Sequence, residues 1–324
     1  MLRKNMRVAT GVDGTRSVSL TVYAPEDPAR FSGRVIYASP GGGYGRLYYD
    51  MHFTGHEGYS QAAHHVEAGH ILVAYDHLGV GESDVSELST LTIEDIADAD
   101  HAAVQQVRDG LIAGTLLATY PPLPDAVHIG IGQSMGGGVT IIMQARHRSF
   151  DAIGVLGYSA IHTVLPQRTE EQAAAAKAQY QFDRHTDPAA LSVAATAAGV
   201  ADFIYPFHWE DVPADILKAD MEGGYPIRRT APPFGSLTIP NCVVAMMGPG
   251  FVARDAAVVD VPVFLGFGER DTSADFREEP SAYTNAGDIT LVIVPTMAHM
   301  HNFASTRARL WDRLSHWALG VGRR

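Results

Sequence analysis

The chain has 324 residues, 46% of them apolar and 19% charged, with a formal net charge of −12. These proportions belong to a folded globular protein and exclude a disordered one, and the acidic balance argues against a nucleic-acid or anionic-membrane partner. A single cysteine, Cys242 in the apolar run Asn241-Cys242-Val243-Val244, excludes an internal disulfide and a thiolate metal cluster, and reads as a buried structural thiol.

The basic start, Met1 to Arg7, is followed by no apolar segment of the kind a secretory signal carries, and no run is long enough to span a bilayer. A cytoplasmic location is the expectation. Ser17 to Tyr23 alternates in the manner of a half-buried edge or hairpin strand. Short continuous apolar runs follow at Arg34–Ala38, His70–Asp76, Val127–Ile131, Ala152–Tyr158, Pro262–Phe267 and Thr290–Val294. Strands apolar on both faces belong in a parallel sheet covered by helices. Helical periods lie between them over 93–117, 136–145 and 302–319. The alternation predicts an α/β fold with a mostly parallel, doubly wound sheet.

One stretch breaks the rhythm. Over 162–260 helices are expected at 169–182 and 188–201, followed by Tyr205-Pro206-Phe207-His208-Trp209, Tyr225-Pro226 and the proline- and glycine-rich segments at 232–233 and 248–250. A run of roughly a hundred residues without the alternation is too long for a plain loop. It reads as a mainly helical cap inserted into a core formed by 1–161 and 261–324.

The strongest chemical signal is Gly132-Gln133-Ser134-Met135-Gly136. Between a buried strand and a helix, G-x-S-x-G makes a strained turn that exposes the serine hydroxyl, making Ser134 the expected nucleophile. A serine needs a base and an orienting acid. After the last strand stands Ala298-His299-Met300-His301, in which His299 is the preferred base and His301 a pocket or structural residue. After the preceding strand, Asp271 is the preferred acid, with Glu269 and Asp275 as alternatives. The oxyanion hole requires two backbone N–H donors, assigned to Met135 and to Gly42, with Gly43 second, in the glycine loop 39–45. The paired histidines lack an accompanying carboxylate cluster, and neither a metal nor an organic cofactor is expected.

Three segments resemble the α/β-hydrolase superfamily. The elbow is 132–136. Pro40-Gly41-Gly42-Gly43-Tyr44 resembles its His-Gly-Gly-type oxyanion loop, with Pro40 where histidine is usual. Asp76-His77-Leu78-Gly79-Val80-Gly81-Glu82-Ser83 resembles its D-x-x-G-x-G-x-S turn. The order Ser134, Asp271, His299 is that of the superfamily. The resemblance implies a cofactor-free serine hydrolase that cleaves a carboxylic ester or lactone through an acyl-enzyme, with amide or C–C bond hydrolysis as the alternative. Serine rather than aspartate at the elbow argues against a dehalogenase or epoxide hydrolase. Tyr44, Phe207, Trp209, Tyr225 and Met247 are the expected substrate-binding residues, around a medium-sized hydrophobic small molecule. A monomer or homodimer is expected. Two other classes compete: a nucleotide-binding oxidoreductase reading Gly130 to Gly136 as a phosphate loop, and a non-enzymatic binding module. The first places its loop too deep in the chain, and the second would lack a triad member.

Overall fold

The structure, a computed structural model, describes residues 1–11, 15–179, 181–200 and 202–323. Tyr180 and Ala201, in the stretches 169–182 and 188–201 expected to be helical, lie outside the described residues.

The strands are β1 (Leu2–Thr10), β2 (Arg16–Ala24), β3 (Arg34–Ser39), β4 (Ile71–Tyr75), β5 (Val127–Gln133), β6 (Ala152–Leu156), β7 (Val263–Arg270) and β8 (Ile289–Ala298). They form one sheet in the order β1-β2-β4-β3-β5-β6-β7-β8. β1, β2 and β4 pair antiparallel, and every pairing from β4 through β3 to β8 is parallel. The central strands β4, β5 and β6 are buried along their whole length, as continuous apolar runs require.

The helices are α1 (Gln61–Glu67), α2 (Ile93–Ile112), α3 (Met135–His147), α4 (Glu170–Gln179), α5 (Val193–Ala198), α6 (Ile204–Phe207), α7 (Ala214–Met221), α8 (Ala253–Val258) and α9 (Arg307–Gly320). α2 begins in a full capping box, where the Thr92 hydroxyl accepts from Asp95 N–H and the Asp95 carboxylate accepts from Thr92 N–H. Among the described residues no helix is long and apolar enough to cross a membrane.

Several boundaries differ from expectation for local reasons. Of the two alternatives for β2 the hairpin strand holds and the edge does not, because β1 pairs antiparallel along its outer side. β1 itself alternates weakly, being mostly exposed with Val8 and Thr10 alone buried. The helix expected to reach residue 117 stops at Ile112, where Gly114 takes φ +69°. The stretch expected as one helix from Pro188 divides into a 3-10 turn, Pro188–Ala190, and α5, with Asn241 Nδ2 donating to the carbonyls of Pro188 and Leu191 between them. The last helix starts at Arg307, since His301–Phe303 forms a separate 3-10 turn in which Asn302 Oδ1 accepts from Trp311 Nε1.

Between β6 and β7 the chain leaves the sheet and contributes α4 to α8. Its segments return to the ends of the parallel strands, where Tyr44 pairs as an isolated bridge with Gly235 and Thr163 with Ser273.

Candidate active site

Ser134 sits in the one-residue gap between β5 and α3, with φ 53° and ψ −121°. This sparsely populated conformation for a side-chain-bearing residue lifts the hydroxyl out of the strand's line. The two elbow glycines permit the turn by close approach. A Cβ on Gly132 would lie 2.0 Å from the Gly136 carbonyl oxygen, and one on Gly136 would lie 2.3 Å from the Ser39 oxygen. The Ser134 N–H donates to the Leu156 carbonyl of β6 at 2.7 Å, tying the turn to the neighbouring strand.

His299 follows β8 and Asp271 follows β7. His299 Nε2 stands 2.9 Å from Ser134 Oγ, and Nδ1 stands 2.7 Å from Asp271 Oδ1. The His299 backbone is fixed on both sides. Its N–H donates to the Pro206 carbonyl at 3.1 Å, and its carbonyl accepts from Gln133 Nε2 at 2.9 Å. The Phe207 ring packs on the imidazole with centroids 5.2 Å apart.

Asp271 is buried and accepts at both oxygens. Oδ1 takes His299 Nδ1 and the Thr272 N–H at 2.8 Å, and Oδ2 takes His301 Nε2 at 2.6 Å and the Gly268 N–H at 2.9 Å. Burial alone would push this carboxyl up, but the imidazoles of His301 and His299, with their hydrogen bonds, outweigh it and hold the group well below the usual range. An ionised carboxylate only accepts, so His299 presents N–H at Nδ1, and in the neutral imidazole this leaves Nε2 free to accept from Ser134. His301 is thus the second imidazole on the same acid. The alternatives stand elsewhere: Glu269 accepts from the Thr296 N–H at the surface, and Asp275 from the Arg277 N–H.

Ser134, Met135, His299 and Gly42 line one cavity of about 120 Å³. A water needs roughly 10–15 Å³ on this measure, so the space holds a compact organic group. Met135 is the first residue of α3, where helix N–H groups have no intrahelical acceptor. The N–H groups of Met135 and Gly42 donate to no other group among the described residues. Gly43 does not line the cavity. It takes φ +84°, and a Cβ there would lie 2.8 Å from the Tyr225 ring.

Phe207, Tyr225 and Met247 line the cavity as expected, joined by Phe203, Ile239, Val243 and Met246. Two expected residues do not. Tyr44 is fully buried, and its hydroxyl donates to Asp220 Oδ2 at 2.7 Å. Trp209 lies against the Arg270 guanidinium, 4.6 Å from ring centroid to Cζ. Both are aromatic residues that pack the inserted segment onto the strand ends, a use that sequence does not distinguish from lining a pocket. Ile239, Val243 and Val244 carried no signal beyond apolarity. Among the described residues, His299 is the one ionisable group on the wall outside the tyrosines. Among the described residues no group of three or more His, Cys, Asp or Glu side chains is placed to hold a metal.

No family model matches the chain, and no curated protein matches it in sequence. Solved structures match over nearly its whole length. An esterase from Thermogutta terrifontis superposes with TM-score 0.63 at 15% identity, covering 98% of this chain and 99% of its own. A proline iminopeptidase from Mycobacterium smegmatis gives 0.62 at 18% identity, with 97% of each chain covered. A haloalkane dehalogenase from Bradyrhizobium elkanii gives 0.65 at 11%, over 99% of this chain and 97% of its own.

Proposed function

The chain has the α/β-hydrolase fold, and we propose that it is a serine hydrolase acting on carboxylic esters or lactones with an uncharged, apolar acyl or alcohol group. The observation that carries this reading is the unbroken Ser134–His299–Asp271 hydrogen-bonded chain opening into an apolar cavity. His299 Nε2 takes the Ser134 proton as Oγ attacks the substrate carbonyl, and Asp271 stabilises the imidazolium through Nδ1. The N–H groups of Met135 and Gly42 receive the oxyanion, aided by the positive end of α3. The imidazolium then protonates the leaving alcohol, and water, activated by the same base, releases the acyl group.

Residues 162–260 act as the cap. Phe203, Phe207 and Tyr225 supply one wall of the cavity, and the hydrogen bonds from the His299 and Met300 N–H groups to the Pro206 and Phe207 carbonyls fasten that wall to the base. The substrate is a free small molecule, met by a monomer or homodimer. The one buried thiol, Cys242, fits a reducing compartment, the cytoplasm.

The test is a panel of p-nitrophenyl esters, alongside lactones and amides. Wild type should hydrolyse the butyrate ester, and Ser134→Ala should not. Placing a carboxylate in this wall without a partner costs at least about 3 kcal/mol, so the hemisuccinate ester should fall at least about 100-fold in kcat/KM. Retained turnover by Ser134→Ala would overturn the nucleophile, and equal use of the two esters would overturn the acyl specificity.

A further inference from the structure

The glycine loop after β3 is held by its carbonyls. Tyr49 OH donates to the Ser39 carbonyl at 2.7 Å, and the Tyr44 N–H closes a turn onto Gly41 at 3.2 Å. From the inserted segment, Tyr225 OH donates to the Gly42 carbonyl at 3.2 Å and the Ser236 N–H to that of Gly43 at 2.9 Å. The Pro40 carbonyl meets His77 Nε2 at 3.0 Å.

His77 stands just past β4, with its Nδ1 2.5 Å from Asp100 Oδ2 on α2, and both side chains are fully buried. The proton count follows from what each atom can do. The Pro40 carbonyl only accepts, so Nε2 carries a proton. A second proton lies between Nδ1 and Oδ2, since two lone pairs do not bond each other. The pair is therefore neutral overall, the state that complete burial favours. Burial lifts the Asp100 carboxyl above its usual range. For His77 burial works downward, but Asp100 beside it more than compensates and holds the imidazole above its ordinary value. Asp100 Oδ1 has no partner among the described residues, so the side chain's hydrogen bonding is directed to His77.

The place that His77 holds bears on the elbow. A Cβ on Gly41 would lie 2.4 Å from Gln133 Oε1 and 3.1 Å from Ser134 Cβ, and one on Gly136 would lie 2.8 Å from the Pro40 oxygen. The loop and the elbow therefore touch, with no slack for the peptide after Pro40 to turn. We propose that His77, oriented by Asp100, is a positioning residue that fixes the Pro40 carbonyl and so aims the Gly42 N–H at the oxyanion beside Ser134. The proposal rests on the reading of Gly42 as an oxyanion donor.

The test compares kcat and KM for p-nitrophenyl butyrate in full-length variants whose folding is checked by circular dichroism. His77→Phe fills the space without the donor and should lower kcat about 10- to 100-fold with KM nearly unchanged, short of the full loss of an oxyanion donor. Asp100→Leu, which frees the ring, should lower kcat in the same way. His77→Gln, whose amide can donate to Pro40, should restore most of the loss. A folded His77→Phe protein with wild-type kcat would overturn the proposal. Nitrogen-15 NMR of histidine-labelled wild type reads the same claim without mutation or turnover. A proton on His77 Nε2 supports it, and a bare Nε2 overturns it. Activity that survives in Ser134→Ala would instead sink the hydrolase reading and leave the NMR result standing by itself.

Discussion

Replacing Asp271 by asparagine changes one atom and conflicts with two of its four hydrogen bonds whichever way the amide lies. Both carboxylate oxygens accept from two N–H groups each, His299 and Thr272 at Oδ1 and His301 and Gly268 at Oδ2. An amide has one acceptor end, so its NH2 must face two donors whichever way it lies. If it faces Oδ1's partners, His299 shifts its proton to Nε2 and points it at Ser134, the tautomer that cannot act as base. If it faces Oδ2's partners, His301 changes tautomer and the buried Gly268 N–H loses its acceptor. Each unpaired buried N–H costs about 1–3 kcal/mol, so the melting temperature falls in either case. Loss of the imidazolium's counter-charge, with the wrong tautomer, lowers kcat by about 10³- to 10⁴-fold, the scale of the same change in a serine protease triad. Steady-state hydrolysis of p-nitrophenyl butyrate reads the rate, and differential scanning calorimetry the stability. A folded Asp271→Asn enzyme within tenfold of wild-type kcat would refute the role given to the carboxylate.

Asp220 of the inserted segment accepts from the core's Tyr44 OH at 2.7 Å and, within the segment, from His208 Nε2 and Arg228 Nη2 at 2.9 Å each, all of them buried. Asp220→Leu strands the Arg228 guanidinium at a cost of about 3–5 kcal/mol. At about 2.1 cal/mol/K per residue, this lowers the melting temperature of a 324-residue chain by about 4–7 °C. Adding Arg228→Met should recover most of it, and a shift below about 1 °C in the single variant would refute the stabilising role of the buried Asp220–Arg228 pair. Burial pushes the Asp220 carboxyl up, but the His208 hydrogen bond, with the further donors and charges around it, outweighs that, and Asp271 is depressed likewise. Their stabilisation is complete above the unfolded carboxylate value of about 3.9 and is lost as pH falls below it, so melting temperatures should drop on acidification below about pH 4. A flat profile down to pH 2 would contradict this. Burial pushes the Cys242 thiol up to about 12, so iodoacetamide should neither label nor inhibit the native enzyme at pH 8. Rapid native labelling would refute the thiol's burial.

The core was legible because buried parallel strands announce themselves by continuous apolar runs, and the elbow because its glycines and serine stand between such a run and a helix start, the spacing alone being a weak signal. Asp271 and His299 were legible as candidates from their places after β7 and β8 rather than from any motif. β1 escaped notice because an edge strand carries Arg3, Lys4 and Arg7 on exposed positions. α1 had a readable start, Ser60 capping the Ala63 N–H, but runs for only seven residues. Tyr44 and Trp209 show the limit for the pocket, since an aromatic residue that buries an insertion and one that lines a cavity look alike in sequence. The His77–Asp100 pair joins the end of one strand to a helix 23 residues on, a contact only the fold creates.

The proposed hydrolysis depends on Ser134 as the nucleophile. Incubating the full-length protein with a fluorophosphonate and mapping the adduct by peptide mass spectrometry tests it directly. One stoichiometric adduct is expected on Ser134, absent from Ser134→Ala and slowed in Asp271→Asn. No adduct, or one on another residue with Ser134 unmodified, would contradict it.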